Sequence, residues 1–299
     1  MVGNVGNVGN VGNVGNVGNV GNVGNVGNVG NAGGGVGNFI MPDRIDLPFV
    51  TARRWIKPDG AWECGAPVSG IRLSPPDWQD RQWGADWWAW LVLEEFEHGH
   101  WREAIKLDPP NLAKQAEEIE TLIAMAQDER ADALGEIVAQ NVHYTDIMAP
   151  FVVLMRLSAG SYPATVRLMH VAGLLGISLS LHFKAKFLRP RPSQLCPALM
   201  PPIPVPGHPS YPSGHATQAM LMALLLEQAL PPTLRGTWGP LLATMAWRIG
   251  INREIAGVHY RSDTAAGVTL AERASAHLLS LPADSRFAAT LGKAKQEWQ

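Results

Sequence analysis

The chain is short of cysteine, of net charge and of alternating apolar and polar residues, and each shortage removes a class of protein. Two cysteines, Cys64 and Cys196, cannot build a disulfide framework, and no Cys-x-x-Cys pair offers a zinc or redox motif. Two free thiols in a reducing compartment are the simpler reading. A net charge of −2 gives no electrostatic reason to bind nucleic acid or an anionic membrane. The N-terminus has no basic region followed by an apolar one, so no leader is expected. The longest uncharged apolar run, Leu168 to Phe183, contains His170 and His182. It is short for a bilayer span and suits a buried core helix. The expectation is therefore a cytoplasmic protein without a transmembrane segment, with a homo-oligomer left open.

What is present begins with ten tandem Val-Gly-Asn copies from Val2 to Asn31, followed by a glycine-rich stretch to Asn38. Such a repeat carries too little apolar surface to offset the entropy glycine loses on ordering, so residues 1–38 read as a flexible tail. Residues 39–76 are rich in Pro, Gly and Trp without a period and read as an irregular wrapping segment. Trp78, Trp83, Trp87, Trp88, Trp90 and Trp101 then crowd together. With few basic residues between them, the core reading outweighs a stacking platform for bases or sugars.

From Asn111 the apolar residues recur at helical spacing, with Asn111 as a candidate cap. Further helices are expected at about 145–158, 162–185, 215–230, 235–256, 261–280 and 284–298. Prolines between 190 and 212 predict a rigid, non-helical loop between two of them. No strand pattern competes, so 77–299 reads as one all-α helical bundle.

Three segments interrupt these apolar helices with charge. The first, Lys184 to Pro192, places four positive charges where a helix meets the proline loop. The second is Tyr211-Pro-Ser213-Gly214-His215, immediately before an apolar helix, and the third runs from Asn252 to Asp263. Ser213 and Gly214 at a helix start would turn unpaired N–H groups and the positive helix end toward an anion. Arg191 and Arg253 supply planar forks for oxyanion oxygens, and Lys184 a point charge. His259 and Asp263, four residues apart, share a helix face, and a carboxylate on one ring nitrogen frees the other as nucleophile. His259 is thus assigned the attack on phosphorus and His215 the proton for the leaving oxygen. Singly, each residue has an ordinary structural explanation as a solvated face, a helix cap or an ion pair. Together they are much harder to explain that way.

Order and spacing (Lys184 with six residues to Arg191-Pro192, Pro212-Ser-Gly-His215, Arg253 with five residues to His259 and three to Asp263) resemble the three-part signature of the PAP2 phosphatase/vanadium haloperoxidase superfamily. The resemblance implies a helical bundle, a phosphate or vanadate site and no divalent metal. It makes His259 the phosphohistidine nucleophile, His215 the acid–base group and Asp263 the orienter. Lys184, Arg191, Ser213, Gly214 and Arg253 would hold the oxyanion. One position departs from the pattern, Asn252 standing where the family often has Ser.

The resemblance implies a metal-independent hydrolase of phosphate monoesters or pyrophosphates, with a small phosphorylated substrate and no cofactor. The alternative is a haloperoxidase holding vanadate on His259. His208 resembles the extra histidine of the bromoperoxidase branch and would stand near the site, whereas Leu181 occupies a position where several haloperoxidases resemble one another in carrying Trp. A non-catalytic phosphate-binding protein is the weakest reading. The acids and histidines from Glu94 to His100 lack metal-ligand spacing and read as a solvated helix end.

Overall fold

The structure, a computed structural model, describes residues 80–299. The tail over 1–38, the segment over 39–76, Cys64 and Trp78 lie outside the described residues. The longer helices are α1 (Ala85–His98), α2 (Gln115–Asp128), α3 (Arg130–Ala139), α4 (Tyr144–Met155), α5 (Pro163–Phe187), α6 (Gly214–Ala229), α7 (Pro232–Ile255), α8 (Arg261–Leu279) and α9 (Arg286–Glu297). No strand occurs among the described residues, and the fold is an all-α helical bundle.

Helix α6 is the axis of the bundle because its sequence is apolar on every side. Ala219, Leu221, Met222, Leu225 and Leu226 are fully buried, and α5, α7 and α8 pack around them. Gly267 seats α8 on the first turn of α6. A Cβ there would stand 2.6 Å from the Ser213 carbonyl oxygen and 3.0 Å from the Ala216 Cβ.

Helix α5 corrects the expectation of no span-length segment. It runs 25 residues, about 38 Å at helical rise, and is long and apolar enough to cross a bilayer by length and composition. Its charge-free run was cut short in the sequence by Lys184, which the structure buries. Most of the helix's apolar window (72%) is buried against the rest of the protein, as in a core helix.

The expected helix after Asn111 is two helices that meet at Glu129. Asn111 Oδ1 accepts from the Ala113 N–H at 3.1 Å and caps the 3-10 turn leading into α2. The proline loop is less irregular than expected. It holds a helical turn, Pro192–Leu195, and a 3-10 turn, Pro197–Leu199, each opened by a proline whose missing N–H costs nothing at a first helical position.

The tryptophans divide. Trp101 is buried with Phe183 and His182 edge-on to its ring, and Trp88 donates to Thr290 Oγ1 at 2.8 Å. Trp87 and Trp90 are 63% and 53% exposed, so the core reading does not extend to them. The acids of this region sit in ion pairs, Glu97 with Arg102 at 2.6 Å and Glu95 with Arg286 at 3.2 Å.

Candidate active site

Each site residue is delivered by a local feature. Lys184 lies in the last turn of α5, which ends at Leu188 in the left-handed region (φ 51°). Pro190 then forbids a helical continuation and turns the chain back so that Arg191 faces the same space. Ser213 is the N-cap of α6, its Oγ accepting from the Ala216 N–H at 3.4 Å. His259 precedes α8 and Asp263 lies in its first turn, so the pair meets across the helix start and not, as expected, on one helix face; the Tyr260 N–H donates to Asp263 Oδ2 at 3.1 Å.

Lys184, Arg191, His208, Gly214, His215 and His259 line one cavity of about 390 Å³. Ser213, Arg253 and Asp263 stand one layer behind its wall. Ser213 is fully buried and its N–H donates to the Asp263 carbonyl at 2.9 Å. Arg253 is buried, with Nη2 donating to the Ile137 carbonyl at 2.8 Å and Nε without a partner among the described residues. The amides of Gly214 and His215 have no bond to the described residues, so the helix start presents two free donors.

Hydrogen-bond roles fix the tautomer of His259. Its Nδ1 lies 2.9 Å from Asp263 Oδ2 and its Nε2 lies 3.3 Å from Arg191 Nη1. A guanidinium only donates, so Nε2 carries the lone pair and Nδ1 the proton. Burial, then Arg191 and Lys184, hold the imidazole well below its usual pKa. The contact with Asp263 is therefore a hydrogen bond from a neutral ring.

Asp263 is fully buried and saturated. Oδ1 accepts from Arg189 Nη1 at 2.7 Å, and Oδ2 also accepts from the Ser210 hydroxyl. Arg189 continues outward to Ser262 Oγ at 2.7 Å and Glu118 Oε2 at 2.9 Å, and its guanidinium stacks on Tyr260 at 3.7 Å.

The cations of the cradle are costly to bury. Desolvation, aided by Arg191, lowers the Lys184 ammonium to about 7, although its Nζ donates to the Pro209 and Ser210 carbonyls at 2.9 and 2.7 Å. Burial lowers Arg191 to about 10. Burial, with Arg253 next, lowers His215 to about 3. Positive groups crowded in one cavity with one carboxylate behind them favour an incoming anion. His208 stands in the wall, its Nδ1 3.1 Å from Arg191 Nη2 and its carbonyl accepting from Arg191 Nε at 2.9 Å.

Much of the remaining wall is apolar, with Asn141, His143, Ser180 and Gln218 among its polar members. Trp90, Val142, Ile147, Leu174, Ile177 and Leu181 face the same cavity. Sequence reasoning missed Ser210, Gln140, Glu118 and this use of Trp90, for which no local signal exists. Arg189 was visible only as one of four positive charges.

The sequence model described as the PAP2 superfamily matches residues 165–286, which hold every cradle residue. The chain is 30% identical over 131 residues to the decaprenylphosphoryl-5-phosphoribose phosphatase of Mycobacterium tuberculosis (strain CDC 1551 / Oshkosh), covering 43% of this chain and 69% of that protein. The chain belongs to the PAP2 superfamily. Another relative, the non-specific acid phosphatase of Salmonella typhi, is 38% identical over 88 residues, 29% of this chain. The chain spans only 32% of that enzyme's length. A solved transmembrane PAP2 type phosphatidylglycerolphosphate phosphatase from Bacillus subtilis superposes with a TM-score of 0.44 at 18% identity, covering 63% of this chain and 90% of that one. The relatives' names are those of phosphatases, and none supports the cytoplasmic assignment made from the sequence. The PAP2 match begins after Trp90, Glu118, Gln140, Val142 and Ile147, so half of the apolar wall residues and part of the support behind the cradle come from outside it.

Proposed function

We propose that the protein is a metal-independent phosphatase that works through a phosphohistidine on His259. The observation that carries this reading is the His259 ring, whose Nδ1 proton is committed to buried Asp263 while its Nε2 lone pair stands beside Arg191. In the first step Nε2 attacks phosphorus, the bond to the leaving oxygen breaks, and His215 gives that oxygen its proton. In the second, water attacks phosphorus, His215 takes a proton from the water, and the P–N bond breaks to release phosphate and restore His259. Lys184, Arg191 and the free amides at the start of α6 offset the charge on the non-bridging oxygens. Arg253, behind the wall, adds fixed positive charge. Burial and then the neighbouring cations keep His215 neutral in the free site, and a bound phosphate dianion offsets those cations. His215 therefore takes up the proton for the leaving group from solvent as the dianion binds.

The substrate is a phosphate monoester or pyrophosphate, and the apolar wall suits a leaving group with apolar surface. Hydrolysis of an aryl phosphate in the presence of a chelator, with acid-labile phosphate trapped on the protein, is the expected result. Absence of turnover by the folded protein overturns the reading, as does full activity in His259→Ala.

The haloperoxidase reading draws support from His208, whose ring stands in the cavity wall against Arg191. The residues present fit vanadate as they fit phosphate, with Nε2 of His259 as the ligand atom and Lys184 and Arg191 on the oxygens. Bound vanadate would supply Lewis-acid activation of peroxide for halide oxidation. Bromination of a dye with vanadate, peroxide and bromide tests this branch.

A further inference from the structure

We infer that the C-terminal end of α3 is a positioning device for His215 and Arg253, held in place by Asn252, the position at which this chain departs from the usual motif. The inference deepens the phosphatase reading and rests on it for its kinetic consequence.

The last carbonyls of a helix have no partner within the helix and carry partial negative charge. Two of them at the end of α3 are spent on the site. The Gln140 carbonyl accepts from His215 Nε2 at 2.7 Å, and the Ile137 carbonyl accepts from Arg253 Nη2 at 2.8 Å. A carbonyl cannot donate, so His215 Nε2 must carry a proton. The ring is thus fixed as the Nε2–H tautomer when neutral, and the proton it can exchange with substrate sits on Nδ1. The cations that bear on His215 are Arg253 from α7, Lys184 from α5 and Arg191 from the proline loop, with His259 also close enough to interact electrostatically. All oppose its protonation. The hydrogen bond to the Gln140 carbonyl favours it.

Asn252 locks this end of α3. Its Nδ2 donates to Gln140 Oε1 and to Glu136 Oε2, both at 3.0 Å, and the same Glu136 Oε2 accepts from Arg248 Nε at 2.9 Å while Arg248 Nη2 donates to Oε1. Glu136 and Gln140 are four apart and share a face of the helix. A serine hydroxyl has one proton and cannot serve two acceptors, whereas an amide has two. The departure at position 252 therefore matches a pair of acceptors on α3, which lies outside the segment the family has in common.

The test uses full-length protein with ¹⁵N-labelled histidine. Nitrogen shifts should show His215 protonated on Nε2 and bare on Nδ1 at neutral pH. Asn252→Asp sets a second carboxylate against Glu136. It should mix the His215 tautomers and lower kcat by about ten- to a hundredfold, as small misplacements do, with KM changed less than about twofold. Combining it with Glu136→Gln reverses the donors and restores both bonds, so tautomer and kcat should recover. Gln140→Met, which removes the anchored side chain without adding charge, should give the same mixing if the aspartate variant does not fold. An Nδ1–H tautomer in the native protein overturns the inference. So does an unchanged tautomer and kcat in both folded single variants. The nitrogen pattern is read without turnover, so an inactive protein with the stated pattern defeats the phosphatase reading alone.

Discussion

Arg189 Nη1 lies 2.7 Å from Oδ1 of Asp263, while His259 Nδ1 lies 2.9 Å from Oδ2 of the same carboxylate. One fully buried acid therefore joins a permanent cation to the ring that faces the cavity. Removing a single partner from such a pair strands a charge in the interior. Arg189→Leu is expected to cost about 3–5 kcal/mol of folding stability, read from urea unfolding. A loss below about 1 kcal/mol would mean that Asp263 does not depend on Arg189.

The two site histidines make stability sensitive to acid. His215 and His259 are both held below their ordinary pKa in the folded chain, His215 at about 3. Below about pH 6.5 the unfolded chain takes up protons that the folded site refuses, so stability falls as pH drops, toward pH 3 in the case of His215. Each ring contributes a slope of about 1.4 kcal/mol per pH unit in that window. Urea midpoints between pH 7 and 5 should decline, and His215→Asn should flatten the decline. Equal slopes in both proteins would show that His215 charges freely in the fold.

Lys184 should make anion affinity fall as pH rises. Its ammonium is lowered to about 7, so the free site loses that charge above neutrality, and a bound anion draws the proton back. Sulfate does not titrate in this range and isolates the effect. Calorimetry in two buffers of different ionisation enthalpy should show proton uptake on sulfate binding near pH 8. Affinity should be higher at pH 6 than at 8.5, and Lys184→Met should diminish both effects, leaving only the uptake that belongs to His215. A pH-independent sulfate affinity in the native protein would contradict the lowered ammonium.

Trp90 is more than half exposed on the cavity rim. If its ring contacts the leaving group, Trp90→Ala forfeits on the order of 1–2 kcal/mol of apolar contact. KM for an aryl phosphate should rise roughly 5- to 30-fold, while inhibition by inorganic phosphate stays the same. A matching loss in phosphate inhibition would place the effect on the cradle instead.

The amino-acid sequence by itself determined the features that act over a few residues. Apolar spacing placed six of the later helices close to their observed ends, because burying one helix face needs only a local period. The spacing of His259 and Asp263 already pointed to a paired ring, although His259 stands before the helix that the spacing assumed, and the small polar pair marked the start of α6. Even the correction at α5 is local in origin, since Lys184 broke a run of apolar residues that the helix carries through.

Only the tertiary structure decided which residues stand on the cavity wall and which behind it. Ser213 and Arg253 read alike with Arg191 in sequence, yet the packing of α8 and α3 takes up their hydrogen bonds. Glu118 and Gln140 lie 71 and 75 residues from their partners Arg189 and His215. A contact closed over such a loop leaves no period or spacing in the chain, because it exists only once the helices have packed.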